Sequence, residues 1–228
     1  MRSEDAAPRV GRPPRVTRDD IIEAVLELGF DAATVTAVAR RLRVDPSTLY
    51  GHVPGREAML NAAAETAIAR APWPEPTGSW RDYVRACAEV MWVLFDAHPG
   101  LARRLRTMAS LPPSLAAVSL RITRHLVTML DIDVHFAALI VDTVGDMMID
   151  SHITAIALNE PVAGTARGLT GRERSQHLLD TAVGIDDPFV AEYTRVIHEA
   201  MGEPGRPSGW WREKLALVLD GIEHRLGR

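Results

Sequence analysis

The stretch TVTAVARRLRVDPSTLYGHVPGREAML, Thr34 to Leu60, constrains the fold of this 228-residue chain more than any other. Ala39, Leu42 and Val44 put small or apolar side chains where one short helix docks on the next. Asp45 or Pro46 opens the second of the pair, because proline at a first helical position gives up no needed N–H. Leu49 anchors that second helix, and Pro54-Gly55 breaks the chain after it. The spacing predicts a helix-turn-helix. The first turn of its second helix, Pro46-Ser47-Thr48, is short and polar enough to enter a major groove and reach base edges. Tyr50 and His52, near its end, carry donors suited to phosphates, which set register without reading sequence.

Helix signals continue on both sides, and no segment reads as a strand. Thr17 caps a first helix with Asp19 and Asp20 in its first turn, an apolar stripe of Ile21, Ile22, Val25 and Leu28, and a stop at Gly29. Arg56–Arg70 follows the helix-turn-helix. The segment APWPEPTGS, residues 71–79, reads as a linker. Beyond it, helices are expected at Trp80–His98, Leu101–Met108, Ser114–Leu130, His135–Leu158, Asp187–Met201 and Trp210–Leu226, with a weak patch at Arg172–Leu179 in a long loop. The fold class is therefore all-α. The expected parts are a flexible basic arm (1–16), a three-helix helix-turn-helix domain (17–70) and a larger helical domain (80–228).

Charge is divided unevenly along the chain. The net charge is -4, yet residues 1–18 carry +3 and residues 57–228 carry −5. A basic end on an acidic body suits a protein that presents one end to a polyanion. Arg12 and Arg15, in the arm, can reach a narrow minor groove, lie along phosphates, or stay solvated. A single cysteine, Cys87, leaves no internal disulfide framework. No run approaches the roughly 20 apolar residues of a membrane span, and a cytoplasmic location is expected, nucleoid-associated when DNA is bound.

Thr-x-x-x-Val-Ala from Thr34, Leu42-x-Val44, LYGHV at 49–53 and the basic Arg56 before an apolar helix resemble the tetracycline-repressor family, over about Thr17 to Ile68. The resemblance implies that Thr34 and Thr36 begin the first helix of the motif at the phosphates or groove edge. Pro46, Ser47, Thr48 and Gly51 would face bases, and Tyr50, His52 and Arg56 would hold the DNA backbone. Arg43 stands where the family usually has glycine; a left-handed arginine there costs about 1 kcal/mol. Gly51 replaces a bulkier side chain and lightens the groove contact.

Trp80 to Leu226 resembles, more loosely, the family's ligand-binding and dimerisation half. The resemblance implies a homodimer through a four-helix bundle of His135–Leu158 and Trp210–Leu226, with Gly145, Val218, Gly221 and Ile222 at the close approach. Asp142, Asp146 and Asp150 fall on one helix face. They make either a solvated stripe, partnered by Arg121 and Arg124, or one carboxylate facing a pocket. That pocket is expected among Met91, Phe95, Met108, Met147, Met148 and Asp150, where methionine fits irregular ligands and equally fills plain core.

His98, His125, His135 and His152 are scattered, so neither a metal site nor another cofactor is expected, and the drug-chelating residues of tetracycline repressors are not matched around Leu101–Met108. There is no glycine-rich phosphate loop and no nucleophile elbow, which argues against an enzyme. The expected function is a ligand-responsive transcriptional regulator that binds palindromic operator DNA as a dimer. It is a repressor released by a small molecule, or alternatively an activator or a ligand-independent regulator; the motif requires occupancy alone.

Overall fold

Eleven α-helices make up the computed structural model, which describes residues 16–161, 168–182, 187–202 and 209–227. Among these residues there is no strand beyond an isolated bridge between Pro161 and Thr170. The helices are α1 (Arg18–Leu28), α2 (Val35–Leu42), α3 (Pro46–Tyr50), α4 (Arg56–Arg70), α5 (Trp80–Ala97), α6 (Leu101–Thr107), α7 (Pro113–Leu130), α8 (Val134–Ala157), α9 (Gly171–Ala182), α10 (Pro188–Met201) and α11 (Trp210–Arg225). The all-α expectation holds, with boundaries shifted by a residue or two. The basic arm, including Arg12 and Arg15, lies outside the described residues.

The chain divides into two compact units, residues 1–63 and 64–228. The division falls inside α4 and not in the 71–79 linker. α4 runs through the division as one helix, with Met59 and Leu60 buried on one side of it and Ala67 and Ile68 on the other.

In the first unit, α1, α2 and α3 each begin on a cap written in the local sequence. Thr17 and Asp20 form a reciprocal capping box, Thr34 accepts from the Ala37 amide at 3.0 Å, and Asp45 accepts from the Ser47 amide at 2.8 Å. Such caps contribute about 1 kcal/mol apiece by satisfying amides that have no partner within the helix. Ile21, Val25, Val38, Ala39, Leu49 and Met59 are fully or almost fully buried.

The second unit is organised around α8, which packs against α5, α6, α7 and α11. Its core joins Trp80, Val84 and Trp92 of α5 to Leu126, Ile140, Val144, Met148, Trp211 and Leu219. Trp92 and Trp211 stack with ring centroids 5.1 Å apart, and the Arg212 guanidinium lies 4.4 Å above Trp211. Arg212 also forks onto Glu89 at 2.6 and 2.7 Å, and Arg81 pairs with Asp220 and Glu223, so charge clasps α11 to α5 beside the aromatic stack. The weak patch around residue 172 is a full helix, α9. It is held by tertiary contacts, with the Arg172 amide donating to the Leu158 carbonyl at 2.8 Å, and Gly171 lies so close to α8 that an added Cβ would clash with the Ala157 carbonyl at 2.6 Å.

Candidate nucleic-acid interface and ligand cavity

The second helix of the helix-turn-helix is five residues long and is held by one side chain. Leu49 points inward and is 1% exposed, while Ser47, Thr48, Tyr50, Gly51 and His52 are all exposed. Pro46 is half-buried at the first helical position, where its ring presets the turn. Hydrogen bonds from the Ser47 side chain and then its amide hold the Asp45 carboxyl below its ordinary value. Tyr50, 59% exposed, has no packing role that would explain a large aromatic there.

The other expected DNA contacts divide by environment. Thr34 and Thr36 are exposed at the start of α2, and Thr34 already serves as the helix cap. Arg56 is partly committed inside the first unit, donating from Nε to the Ala33 carbonyl at 3.1 Å and from a terminal nitrogen to Phe30 at 3.4 Å. Its first duty in the free protein is to tie the start of α4 to the loop before α2, which pattern reading had assigned to DNA alone. Arg43 adopts the left-handed conformation, φ 58° and ψ 42°, at the turn between α2 and α3.

In the second unit, α5, α7 and α8 line a cavity of about 520 Å³ that opens to solvent. Val84, Ala88 and Met91 line it from α5, Leu115, Val118 and Ile122 from α7, and Ala138, Val141 and Ile149 from α8. Cys87 faces it as a neutral thiol, because burial pushes its pKa up to about 11. The polar lining comes chiefly from Ser119, Thr123, His135, Asp142 and Asp146.

Of the residues expected at a pocket, Met91 alone lines this cavity. Phe95 and Met148 are core at 1% and 0% exposure, and Met147 packs against the core. Met108 caps the end of α6. Asp150 pairs with Arg106, which also holds Asp146 at 2.9 Å. The partner of the acidic stripe is therefore Arg106 of α6, whereas Arg121 sits 3.6 Å from Glu75. Helical periodicity located the stripe but not the helix that would cross it.

The four residues expected at a dimer contact also separate. Ile222 is 8% exposed in the protomer's own core and Val218 packs against it, while Gly221 stays exposed beside Leu217, which is 74% exposed. Gly145 lines the cavity, and a Cβ built there meets nothing within 4 Å. Its small size leaves volume inside the protomer.

A structural link missed by pattern reading connects the cavity wall to α4. Pro112 precedes α7 with no side-chain cap, and Pro113 has no N–H to offer. The first available amide, Ser114, donates to both carboxylate oxygens of Glu65, at 3.1 and 3.0 Å, and the Ser114 hydroxyl adds a third bond at 2.9 Å. Among the described residues no group of His, Cys, Asp and Glu gathers to hold a metal ion, and no helix is long and apolar enough to cross a membrane.

Comparison with known proteins follows the same division. Residues 21–63 match the family described as bacterial regulatory proteins, tetR family. The class D tetracycline repressor of Escherichia coli is 35% identical over 78 residues, 31% of this chain and 36% of that protein. An HTH-type transcriptional regulator of Saccharopolyspora erythraea is 32% identical over 112 residues, 46% of this chain and 47% of its own length. The chain thus spans about a third to a half of the curated relatives it matches. Among solved structures, apo ActR from Streptomyces coelicolor superposes with a TM-score of 0.71 at 18% identity, covering 93% of this chain and 99% of that one. ActR in complex with actinorhodin gives 0.71 at 19% identity, covering 92% and 96%. The first unit thus carries the sequence signature of the tetR family of bacterial regulatory proteins, and the chain is similar in fold to ActR over most of its length.

Proposed function

We propose that this protein is a dimeric transcriptional repressor that binds palindromic operator DNA through α3 and leaves it when a small molecule enters the cavity of the second unit. The observation that carries the reading is α3 itself, a five-residue helix with buried Leu49 beneath exposed Ser47, Thr48, Tyr50 and His52. Ser47 and Thr48 read base edges, and Tyr50 and His52 hold phosphates. So short a reading element contacts too few bases for specificity alone, which favours two copies on a two-fold operator, about 34–36 Å apart or a multiple of it. The outward face of α11, with Leu217 and Gly221, together with α8, supplies the second-copy contact. Two relatives support the assignment, since the match to the tetracycline repressor lies in the DNA-reading unit and ActR, of the same fold, has been solved with actinorhodin.

Release requires that the ligand bind the DNA-incompetent conformation better than the competent one. The transmitting element is α4. Near its start Arg56 bonds the Ala33 and Phe30 carbonyls, and further along Glu65 holds the first free amide of α7, a wall of the cavity. A ligand that displaces the Leu115–Val118 end of α7 moves Glu65 and so reorients α4. Selection from random duplexes tests the reading. Enriched sites should be inverted repeats bound by two chains, and Thr48→Ala should alter the preferred bases, while Tyr50→Phe weakens every sequence alike. Enrichment of single half-sites bound by one chain would refute it.

A further inference from the structure

We propose that the cavity takes an apolar molecule bearing a positively charged nitrogen, which pairs with Asp142; the inference rests on the reading of this cavity as the effector site. The lining is predominantly apolar and includes no lysine or arginine. Of the three acidic residues spaced four apart on α8, Asp146 and Asp150 share the single guanidinium of Arg106. Asp142, one turn earlier, is exposed at the cavity rim and has no hydrogen-bond or ion-pair partner among the described residues.

That arrangement selects by charge. Arg106 is already shared between two carboxylates, and Arg121, whose charge reaches the lining thiol of Cys87, is paired with Glu75, so an anionic ligand would have to break those pairs and pass Asp142. A cationic ligand meets an unpaired carboxylate where it leaves water, and its apolar body fills the space that Gly145 leaves empty. The apolar walls supply affinity by burial, and Asp142 fixes which end of the ligand faces outward.

The test uses tetraphenylphosphonium and tetraphenylborate, which share shape and differ in charge, with the neutral dye Nile red reporting occupancy of the cavity. Wild-type protein should bind the phosphonium about tenfold more tightly than the borate, since one charge is attracted and the other repelled. Asp142→Asn should weaken phosphonium binding about fivefold, as expected of an ion pair open to water, and leave Nile red binding and the melting temperature unchanged. Gly145→Trp should block all three probes. Equal phosphonium affinity in Asp142→Asn, or a borate affinity matching that of the phosphonium, overturns the cation inference, while a Gly145→Trp block of Nile red leaves the effector-site reading standing. Nile red binding that ignores Gly145→Trp overturns both.

Discussion

The two units treat apolar side chains in opposite ways. In the first, Ile21, Val25, Phe30, Val38, Leu49 and Met59 are buried beneath a five-residue helix that keeps its polar residues in water. In the second, three long helices line about 520 Å³ that no described residue fills. A recognition helix of five residues has no stability of its own and must be supported to near-native density. A cavity for a ligand demands the reverse, a wall stable enough to stand without its contents. The same kind of deletion should therefore cost very different amounts in the two places.

The largest effect is expected at Leu49. Truncation to alanine removes the sole fully buried anchor of α3 and should cost about 2–5 kcal/mol, abolishing operator binding. The matching truncation on the cavity wall, Leu115→Ala, should cost less than about 1 kcal/mol, because the methyl groups it deletes face space that is already empty. Urea melts of both variants compare them directly. Equal losses would mean that the cavity is as tightly supported as the recognition helix.

Next in size is Glu65→Ala, which strips three hydrogen bonds from Ser114 and leaves a half-buried amide unmatched, at about 1–2 kcal/mol. Amide hydrogen exchange should accelerate at the first turn of α7 and not in α1 or α3. If exchange rises equally across the molecule, Glu65 is a general stabiliser and not a local tether.

Two glycine exchanges come next. Arg43→Gly relieves a left-handed arginine and should stabilise the first unit by about 1 kcal/mol. Gly145→Ala, inside α8 with open space above it, should stabilise the second by a similar amount while slightly reducing the cavity. Thermal melts check the signs, and a destabilised Gly145→Ala would mean that another surface closes over that position.

The last effect concerns Cys87 and is confined to high pH. Its pKa is raised by burial from 9.0 to about 11, so its contribution to stability is present below pH 9 and is lost as pH rises from 9 to about 11. Alkylation by iodoacetamide should be slow at pH 8 and accelerate toward pH 11, and Nile red in the cavity should slow it further. Rapid labelling at pH 8 would show that the wall opens readily.

Most of the first unit was legible in the residues alone, because its determinants are local. Thr17, Thr34, Asp45 and Gly29 act within three or four residues of themselves, and the alternation of buried Leu49 with exposed Thr48 and Tyr50 is written in five consecutive letters. Helix positions in the second unit were legible for the same reason. What those helices do to one another was not. Periodicity placed Asp142, Asp146 and Asp150 on one face, but their separation into a pair that shares one arginine and a carboxylate without a partner depended on where Arg106 of α6 crosses α8. Arg56 turned inward to carbonyls 23 and 26 residues away. Phe95 and Met148 became core while Gly145 came to face empty space. Caps and stripes are properties of one helix, whereas a cavity and a tether belong to the packing of several, and tertiary structure alone decides that packing.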